Sequence, residues 1–131
     1  MKPGVLFVTP RPQDADLLSR MLSPLSLHLE HAADFAHLHA KLTDGAFPVI
    51  LTETVLPDGT WLSVLALARQ LSPSPEVIVT QPFADARFWS EALHLGAYDL
   101  IPQPFEASEV RRILFNACSR PRGREALAAA L

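Results

Sequence analysis

Glu53 is the residue whose position most directly suggests chemistry. It ends the apolar run Val49-Ile50-Leu51-Thr52 and is followed by the turn residues Pro57-Asp58-Gly59. A continuous apolar run of this kind is typical of a strand that is covered on both faces of a sheet. The carboxylate is therefore expected at the carboxyl end of a buried strand, where an acidic side chain can bind a cation or receive a phosphoryl group.

Polar residues also stand at the ends of other apolar segments. Thr9, Thr80 and the pair Pro102-Gln103 each close such a segment. In open sheets of parallel strands, ligands bind at the carboxyl ends of the strands, where the strand order reverses. We therefore expect Thr9, Glu53, Thr80 and Gln103 to meet around one site.

Five predicted strands alternate with five predicted helices along the chain. The strands cover residues 5–9, 25–30, 49–52, 77–80 and 98–102, and the helices cover residues 14–22, 35–44, 61–71, 84–95 and 106–117. Parallel strands need crossover connections, which are almost always right-handed. The alternation therefore predicts an α/β fold, with helices on both faces of a parallel sheet.

Composition indicates one domain without a nucleic-acid partner. The chain has 131 residues, of which 49% are apolar, and a formal net charge of −3, so clustered positive charge for direct nucleic-acid binding is not expected. Cys118 is the single cysteine and cannot form an internal disulfide, and no apolar run is long enough for a bilayer or a signal peptide. We expect a cytoplasmic protein without membrane contact.

The C-terminal residues differ in character from the rest. Residues 119–124 are rich in Arg with Pro and Gly, and residues 125–131 are rich in Ala and Leu. We interpret residues 1–118 as one domain and residues 119–131 as a linker or the start of a further helix, with a frayed terminus as the alternative. In the first case the natural protein is longer than this chain.

Three motifs carry a resemblance to a known family. They are Leu56-Pro57-Asp58-Gly59, Gly96-Ala97-Tyr98-Asp99 and Pro102-Gln103-Pro104-Phe105. Together they make residues 4 to about 118 similar to the receiver domain of bacterial two-component response regulators. The resemblance implies a flavodoxin-like (CheY-like), doubly wound, five-stranded parallel sheet with strand order 2-1-3-4-5 and five helices.

The resemblance also identifies the residues that match the family's phosphorylation site. Glu53 matches the acceptor aspartate, Thr9 and Pro10 match the acidic pair that helps to hold a divalent metal, and Gln103 matches a lysine whose following bond, to Pro104, is cis in receivers. Proline offers no side-chain ligand to magnesium, and an amide cannot replace the positive charge of lysine. We therefore expect no metal and no cofactor, and we interpret the nearby Asp14 and Asp16 as an ordinary acidic first turn of a helix.

Two interpretations of Glu53 stay open. The extra methylene pushes its carboxylate towards the place of a phosphoryl group, so the residue either imitates the phosphorylated state or is a solvated acidic residue at a strand end. Its single negative charge is the only one that we expect in the pocket. The hydroxyl of the family's conformational switch matches Thr80 or, on another alignment, Gln81, and the family's switch aromatic matches Leu100, with Tyr98 two residues earlier.

A partner surface is predicted on the face formed by the fourth helix, the fifth strand and the fifth helix. One of Phe88 and Trp89 is expected to reach the surface, because adjacent helical residues point about 100° apart. Trp61 is either a partner anchor or a core aromatic. The candidate partner residues are Trp61, Arg87, Glu91, His94, Leu100, Arg111 and Arg112, and their mixed charge is equally compatible with an ordinary solvated face.

These observations favour a pseudo-receiver without enzymatic activity: a phosphorylation-independent regulatory or protein-interaction module of a two-component system. Its partner is expected to be another protein, an attached output domain or a second copy of the chain. The first alternative is a working receiver that is phosphorylated at an unusual site. The second is a flavodoxin-like cofactor-binding domain, although Pro10 and Pro12 remove two backbone amides from the loop that would hold a phosphate.

Overall fold

The computed structural model describes residues 4–83 and 85–120. In chain order, the elements of these residues are β1 (Gly4–Val8), α1 (Pro12–Leu22), β2 (His28–Ala32), α2 (Phe35–Asp44), β3 (Val49–Glu53), β4 (Val55–Leu56), β5 (Gly59–Thr60), α3 (Trp61–Arg69), β6 (Glu76–Pro82), α4 (Ala86–Leu95), β7 (Asp99–Gln103) and α5 (Ala107–Ser119).

The main sheet has the predicted topology. Its five strands are parallel and lie in the order β2-β1-β3-β6-β7. In the numbering of the five predicted strands this is the order 2-1-3-4-5, so the predicted fold is confirmed. The strand order reverses between β1 and β3, and this reversal makes the crevice at their carboxyl ends.

Helices bury both faces of the sheet. Every residue of β1 and β3 is buried, which explains why these strands are apolar runs rather than alternating patterns. One core lies beneath α1 and α5 and includes Phe7, Leu51 and Ile113. The other core lies on the opposite face of the sheet and includes Ile50 and Trp61.

Local sequence signals define most helix ends. Pro12 begins α1 at a position where its missing amide hydrogen has no cost. The side chain of Asp34 accepts from the His37 amide and caps α2, and Thr60 forms a capping box with Ser63 at the start of α3. These signals fix where the helices begin, and thereby where the loops at the carboxyl edge of the sheet end.

The predicted position of the second strand is too early in the chain. The sequence pattern places it at residues 25–30, whereas the strand is His28–Ala32. The Leu25 amide donates to the Leu22 carbonyl at 2.9 Å, so this segment continues the turn that ends α1. Leu25 and Leu27 alternate with polar residues because they pack against the core beside α1, not because they lie in the sheet.

Helix boundaries differ from the prediction in smaller ways. α3 ends at Arg69 instead of residue 71, and α4 begins at Ala86, while the predicted start at residue 84 lies outside the described residues. The antiparallel pair β4 and β5 was not predicted, because its strands have only two residues each.

The predicted C-terminal segment, residues 119–131, is described only at its start. Ser119 ends α5 and Arg120 follows it. The remainder of the segment lies outside the described residues.

In the described parts of the chain, no helix combines the length and the apolar character that crossing a bilayer requires.

Candidate functional site

Four polar side chains converge at the carboxyl edge of the sheet, as predicted. Thr9 follows β1, Glu53 ends β3, Thr80 lies near the end of β6 and Gln103 ends β7. Glu53 and Thr80 are partners in the register of β3 and β6. Strand periodicity places the four residues on the face of the sheet that is covered by α1 and α5, directly above the core on that side.

Glu53 is the centre of this site. The residue is only 5% exposed, which excludes the interpretation as a solvated side chain at a strand end. The hydroxyl of Thr9 donates to Oε2 at 2.9 Å, and Nε2 of Gln103 donates to Oε1 at 3.2 Å. Both carboxylate oxygens therefore have partners, as a buried charge requires.

Arg11 is a member of the site that the sequence did not reveal. Its Nη2 donates to Oε2 of Glu53 at 2.6 Å and its Nε donates to Oδ2 of Asp14 at 2.7 Å. The guanidinium thus joins a buried carboxylate to a half-buried one. The expectation that Glu53 is the only charged group of the pocket is wrong, because it considered only the residues at the strand ends and left out the loop after β1.

The same contacts change the interpretation of Asp14. It was expected to serve only the dipole of α1, but it also holds Arg11 in a salt bridge. The hydrogen bond that Arg11 donates to Asp14, with the nearby charge of Glu53, raises the pKa of Arg11 above its ordinary value. The sequence shows Arg11 as the basic residue of the loop that follows the first strand, but this does not fix where its long side chain points.

The loop that carries Arg11 is held at several points. Pro10 and Pro12 flank Arg11 and restrict the backbone dihedral φ on either side of it. The Arg11 amide donates to Oγ1 of Thr9 at 3.2 Å, and Nε2 of His31 lies 2.7 Å from the Thr9 carbonyl oxygen. This part of the backbone is therefore preorganised for the contact with Glu53.

Thr80, rather than Gln81, faces the site. Thr80 is fully buried and its Oγ1 accepts from Nε2 of Gln103 at 3.2 Å. Gln81 is the next residue of β6, so its side chain leaves the sheet on the opposite face. Its Oε1 is a buried atom with no hydrogen-bond partner among the described residues.

Gln103 connects Glu53 to Thr80. A single nitrogen, Nε2, lies 3.2 Å from both Oε1 of Glu53 and Oγ1 of Thr80. The peptide bond from Gln103 to Pro104 is cis, as the resemblance implies. Thus Gln103, which matches a lysine in the receiver family, supplies hydrogen bonds through its amide without a positive charge.

The donor set does not fit a divalent cation. Magnesium takes oxygen ligands, usually with carboxylates, whereas Thr9, Arg11 and Gln103 all direct donors at Glu53. Pro10, at the other position of the acidic pair, is exposed and has no ligand atom in its side chain. Residues 4–83 and 85–120 contain no group of three or more His, Cys, Asp or Glu residues that could hold a metal ion.

The Pro57-Asp58-Gly59 turn connects to α2. Oδ1 of Asp58 accepts from the Phe35 amide at 2.8 Å, and Oδ2 accepts from the Ala36 amide at 3.0 Å. Asp58 thereby satisfies two amides of the first turn of α2, which have no partner within the helix. The loop after β3 is consequently fixed to a neighbouring helix, which helps to position Glu53.

Three of the candidate partner residues do not form an exposed surface, and for Trp61 this agrees with the core-aromatic interpretation. Leu100 is 0% exposed, because β7 is covered on one face by α4 and on the other by α5. Trp61 is buried and packs edge-to-face on Phe88, with ring centroids 6.1 Å apart. Nε of Arg111 donates to the Met21 carbonyl at 2.7 Å, so Arg111 joins α5 to α1.

The remaining candidates are exposed. These are Arg87, Glu91 and His94 on α4 and Arg112 on α5. Trp89 is also exposed, at 38%, whereas Phe88 packs against the core, so one aromatic of the pair reaches the surface as predicted.

Known proteins with a similar sequence include bacterial response regulators. No model of a known protein family matches the sequence. The chain is 26% identical over 112 residues to the response regulator protein PilR of Pseudomonas aeruginosa, an alignment that covers 86% of this chain and 25% of PilR. The chain therefore spans about a quarter of the length of this curated relative.

Solved structures share the fold over most of the chain. The beryllofluoride-activated NtrC4 receiver domain dimer, a solution structure, matches with a TM-score of 0.80 and 26% identity over 89% of this chain and 96% of that one. The signal receiver domain of a LuxO-type repressor protein from Vibrio parahaemolyticus matches with a TM-score of 0.84 and 18% identity over 99% of this chain and 97% of that one. The resemblance predicted from the sequence is confirmed: the chain is similar in sequence to response regulators and has the fold of their receiver domains.

Proposed function

We propose that this chain is a phosphorylation-independent, receiver-like regulatory module of a bacterial two-component system. It acts in the cytoplasm as a protein-interaction domain and not as an enzyme. The observation that carries the proposal is the state of Glu53, which stands at the acceptor position with both carboxylate oxygens hydrogen-bonded to side chains of the same chain.

Phosphoryl transfer to Glu53 has several obstacles. An attacking carboxylate oxygen must be free and in line with the leaving group, but Oε2 is engaged by Thr9 and Arg11 and Oε1 by Gln103. Transfer is also helped by a metal ion that neutralises the phosphoryl charge, and the donor set around Glu53 does not suit one. These features favour a pocket that keeps the scaffold without the chemistry.

The same contacts support a constitutive conformation. The bonds run from Thr9 through Glu53 and Gln103 to Thr80, which links the ends of β1, β3, β6 and β7. We propose that Glu53 holds Thr80 towards the pocket without any modification. In this way the carboxylate does permanently what a phosphoryl group does transiently in a working receiver.

The direct experiment is incubation with acetyl phosphate and magnesium, followed by intact-mass measurement. We expect no added phosphoryl group on the folded chain. A receiver that has the acceptor aspartate, treated in parallel, controls for the activity of the reagent. A stoichiometric adduct that forms on the native chain, but not on a chain denatured before the incubation, would support the working-receiver alternative and overturn the proposal.

We also propose that the module acts through a protein partner, an attached output domain or a second copy of itself. Two of the exposed apolar residues on α4, Trp89 and Leu93, support a contact surface there. They lie four residues apart and therefore adjoin on the helix surface. The net charge of −3 favours a protein rather than nucleic acid as the direct partner.

The flavodoxin-like alternative has less support. A phosphate held at the end of β1 would need backbone amides, and Pro10 and Pro12 have no amide hydrogen. The amide between them, that of Arg11, is directed at Oγ1 of Thr9. After addition of flavin mononucleotide and removal of the unbound flavin, we expect the protein to show no flavin absorbance. A bound, coloured complex would favour the alternative.

A further inference from the structure

We infer that Arg11 supplies within the chain the positive charge that a divalent cation supplies in a metal-dependent carboxylate site. Glu53 is thereby neutralised by a covalently attached counter-ion, and the pocket excludes the cation. This inference deepens the proposed function and rests on it, because it assigns the means by which the pocket stays in one state.

The position of the guanidinium is the first argument. Nη2 of Arg11 lies 2.6 Å from Oε2 of Glu53, a separation typical of a short, charge-assisted hydrogen bond. The Glu53 side chain is only 7% exposed, whereas that of Arg11 is 44% exposed. The arginine therefore covers the carboxylate from the solvent side, which is the side from which a cation would enter.

Asp14 is the second argument, because it positions Arg11. Nε of Arg11 donates to Asp14 while Nη2 donates to Glu53, so one planar guanidinium bridges two carboxylates. Lysine could not make both contacts with this geometry, since its donors radiate from a single nitrogen. Asp14 is thus a positioning residue that limits the rotation of the arginine.

The charges are the third argument. Glu53 carries one negative charge, and Arg11, which also contacts Asp14, carries one positive charge, so the buried carboxylate has a counter-ion within the chain. A cation approaching Oε2 would be repelled by the guanidinium and would have to displace the hydroxyl of Thr9. Removal of Arg11 alone would leave a buried carboxylate without its counter-ion, which is unfavourable.

A double-mutant cycle tests the coupling. The variants are Arg11→Met, Glu53→Gln and the combination of both, each as the full chain, with thermal unfolding as the measurement. We expect Arg11→Met to lower the melting temperature by roughly 5 °C, as a loss of about 1 kcal/mol does in a domain of this size. In the Glu53→Gln background the same change should have a much smaller effect. Equal losses in both backgrounds would overturn the inference.

Two further variants separate charge from packing. Arg11→Lys keeps the positive charge and should recover part of the lost melting temperature, whereas a merely steric role predicts the same loss as for Arg11→Met. Arg112→Met removes an exposed arginine from α5 and should leave the melting temperature nearly unchanged. A loss for Arg112→Met equal to that of Arg11→Met would contradict a specific role of Arg11.

The effect of magnesium on the melting temperature separates the proposed role of Arg11 as a counter-ion from a merely structural role, which would not make stability depend on magnesium. The melting temperature of each variant is measured in magnesium chloride and in sodium chloride at the same ionic strength. We expect the native chain to show no difference between the salts, and Arg11→Met to be stabilised by magnesium because Glu53 and Asp14 lack their cation. Identical responses of the two proteins would overturn the inference. A phosphoryl adduct in the mass experiment would instead contradict the proposed function. Failure of the inference about Arg11 can therefore be distinguished from failure of the proposed function.

Discussion

At the residue scale, the site depends on one buried carboxylate and the donors around it. Glu53 is joined by Thr9, Arg11 and Gln103, which come from the loop after β1 and from the end of β7. Hydrogen bonds to a charged group stabilise a protein more than neutral ones, and their loss leaves a buried charge poorly satisfied. Each of the three donors is therefore expected to contribute measurably to stability.

Thr9→Val is the corresponding prediction. Valine keeps the shape of threonine but lacks the hydroxyl that donates to Glu53 and accepts from the Arg11 amide. We expect the free energy of unfolding to fall by about 2 kcal/mol, measured by urea denaturation. Thr43→Val is the matched control, because Thr43 is an exposed residue of α2 whose hydroxyl donates to the His39 carbonyl. Equal losses for the two variants would contradict the role given to Thr9.

The members of the site differ in how far the sequence could reveal them. Thr9, Glu53, Thr80 and Gln103 were predictable because a strand end is a fixed place in this architecture. Arg11 was not, since a long, flexible side chain in a loop can point in many directions and periodicity does not constrain it. The choice between Thr80 and its neighbour in β6 also needed the register, which decides the face of the sheet.

At the element scale, the loops at the carboxyl edge are held by helix ends. Asp58 joins the loop after β3 to the start of α2 at this edge. At the opposite edge of the sheet, Arg69 at the end of α3 donates to the Leu95 carbonyl at the end of α4. Strands β1 and β3 were predictable because both of their faces are buried. The predicted β2 was displaced because the strand is a partly exposed edge strand, and the leucines before it imitate strand alternation.

Gly96→Ala tests the junction between α4 and β7. Gly96 ends α4 with φ of +119°, a conformation that side chains other than glycine rarely adopt. A Cβ atom there would also meet the guanidinium of Arg69. We expect the free energy of unfolding to fall by about 1 to 2 kcal/mol, measured by chemical denaturation.

Gly45→Ala is the control for this prediction. Gly45 follows α2 with extended backbone that any residue adopts, and a Cβ atom there meets nothing within 4 Å. We expect little change in stability for this variant. If Gly45→Ala destabilised the protein as much as Gly96→Ala, the left-handed conformation would not be the cause.

At the scale of the whole molecule, the chain has a receiver fold whose pocket is closed by its own side chains. The proposed contact with a partner would then be made by the surface of the molecule. α4 turns Phe88 and Ala92 inward and leaves Trp89 and Leu93 exposed. The exposed polar residues of the same helix are compatible with a polar rim around an apolar contact.

Self-association through α4 is the prediction at this scale. We expect sedimentation equilibrium to show a concentration-dependent dimer, and Leu93→Glu to weaken it by introducing a charge on an apolar contact. Leu62→Glu is the matched control, because Leu62 is similarly exposed on α3, at 49% compared with 43% for Leu93. A dimer that tolerates Leu93→Glu as well as Leu62→Glu would contradict this assignment of the surface.

The central claim is that the pocket neither needs nor accepts a phosphoryl group. Beryllofluoride imitates that group and activates the NtrC4 receiver domain, so it provides the most direct test. The measurement is the amide nuclear magnetic resonance spectrum of the native chain before and after addition of beryllofluoride with magnesium. We expect unchanged signals for Thr9, Glu53, Thr80 and Gln103. Saturable shifts of these signals, extending into α4, would contradict the claim.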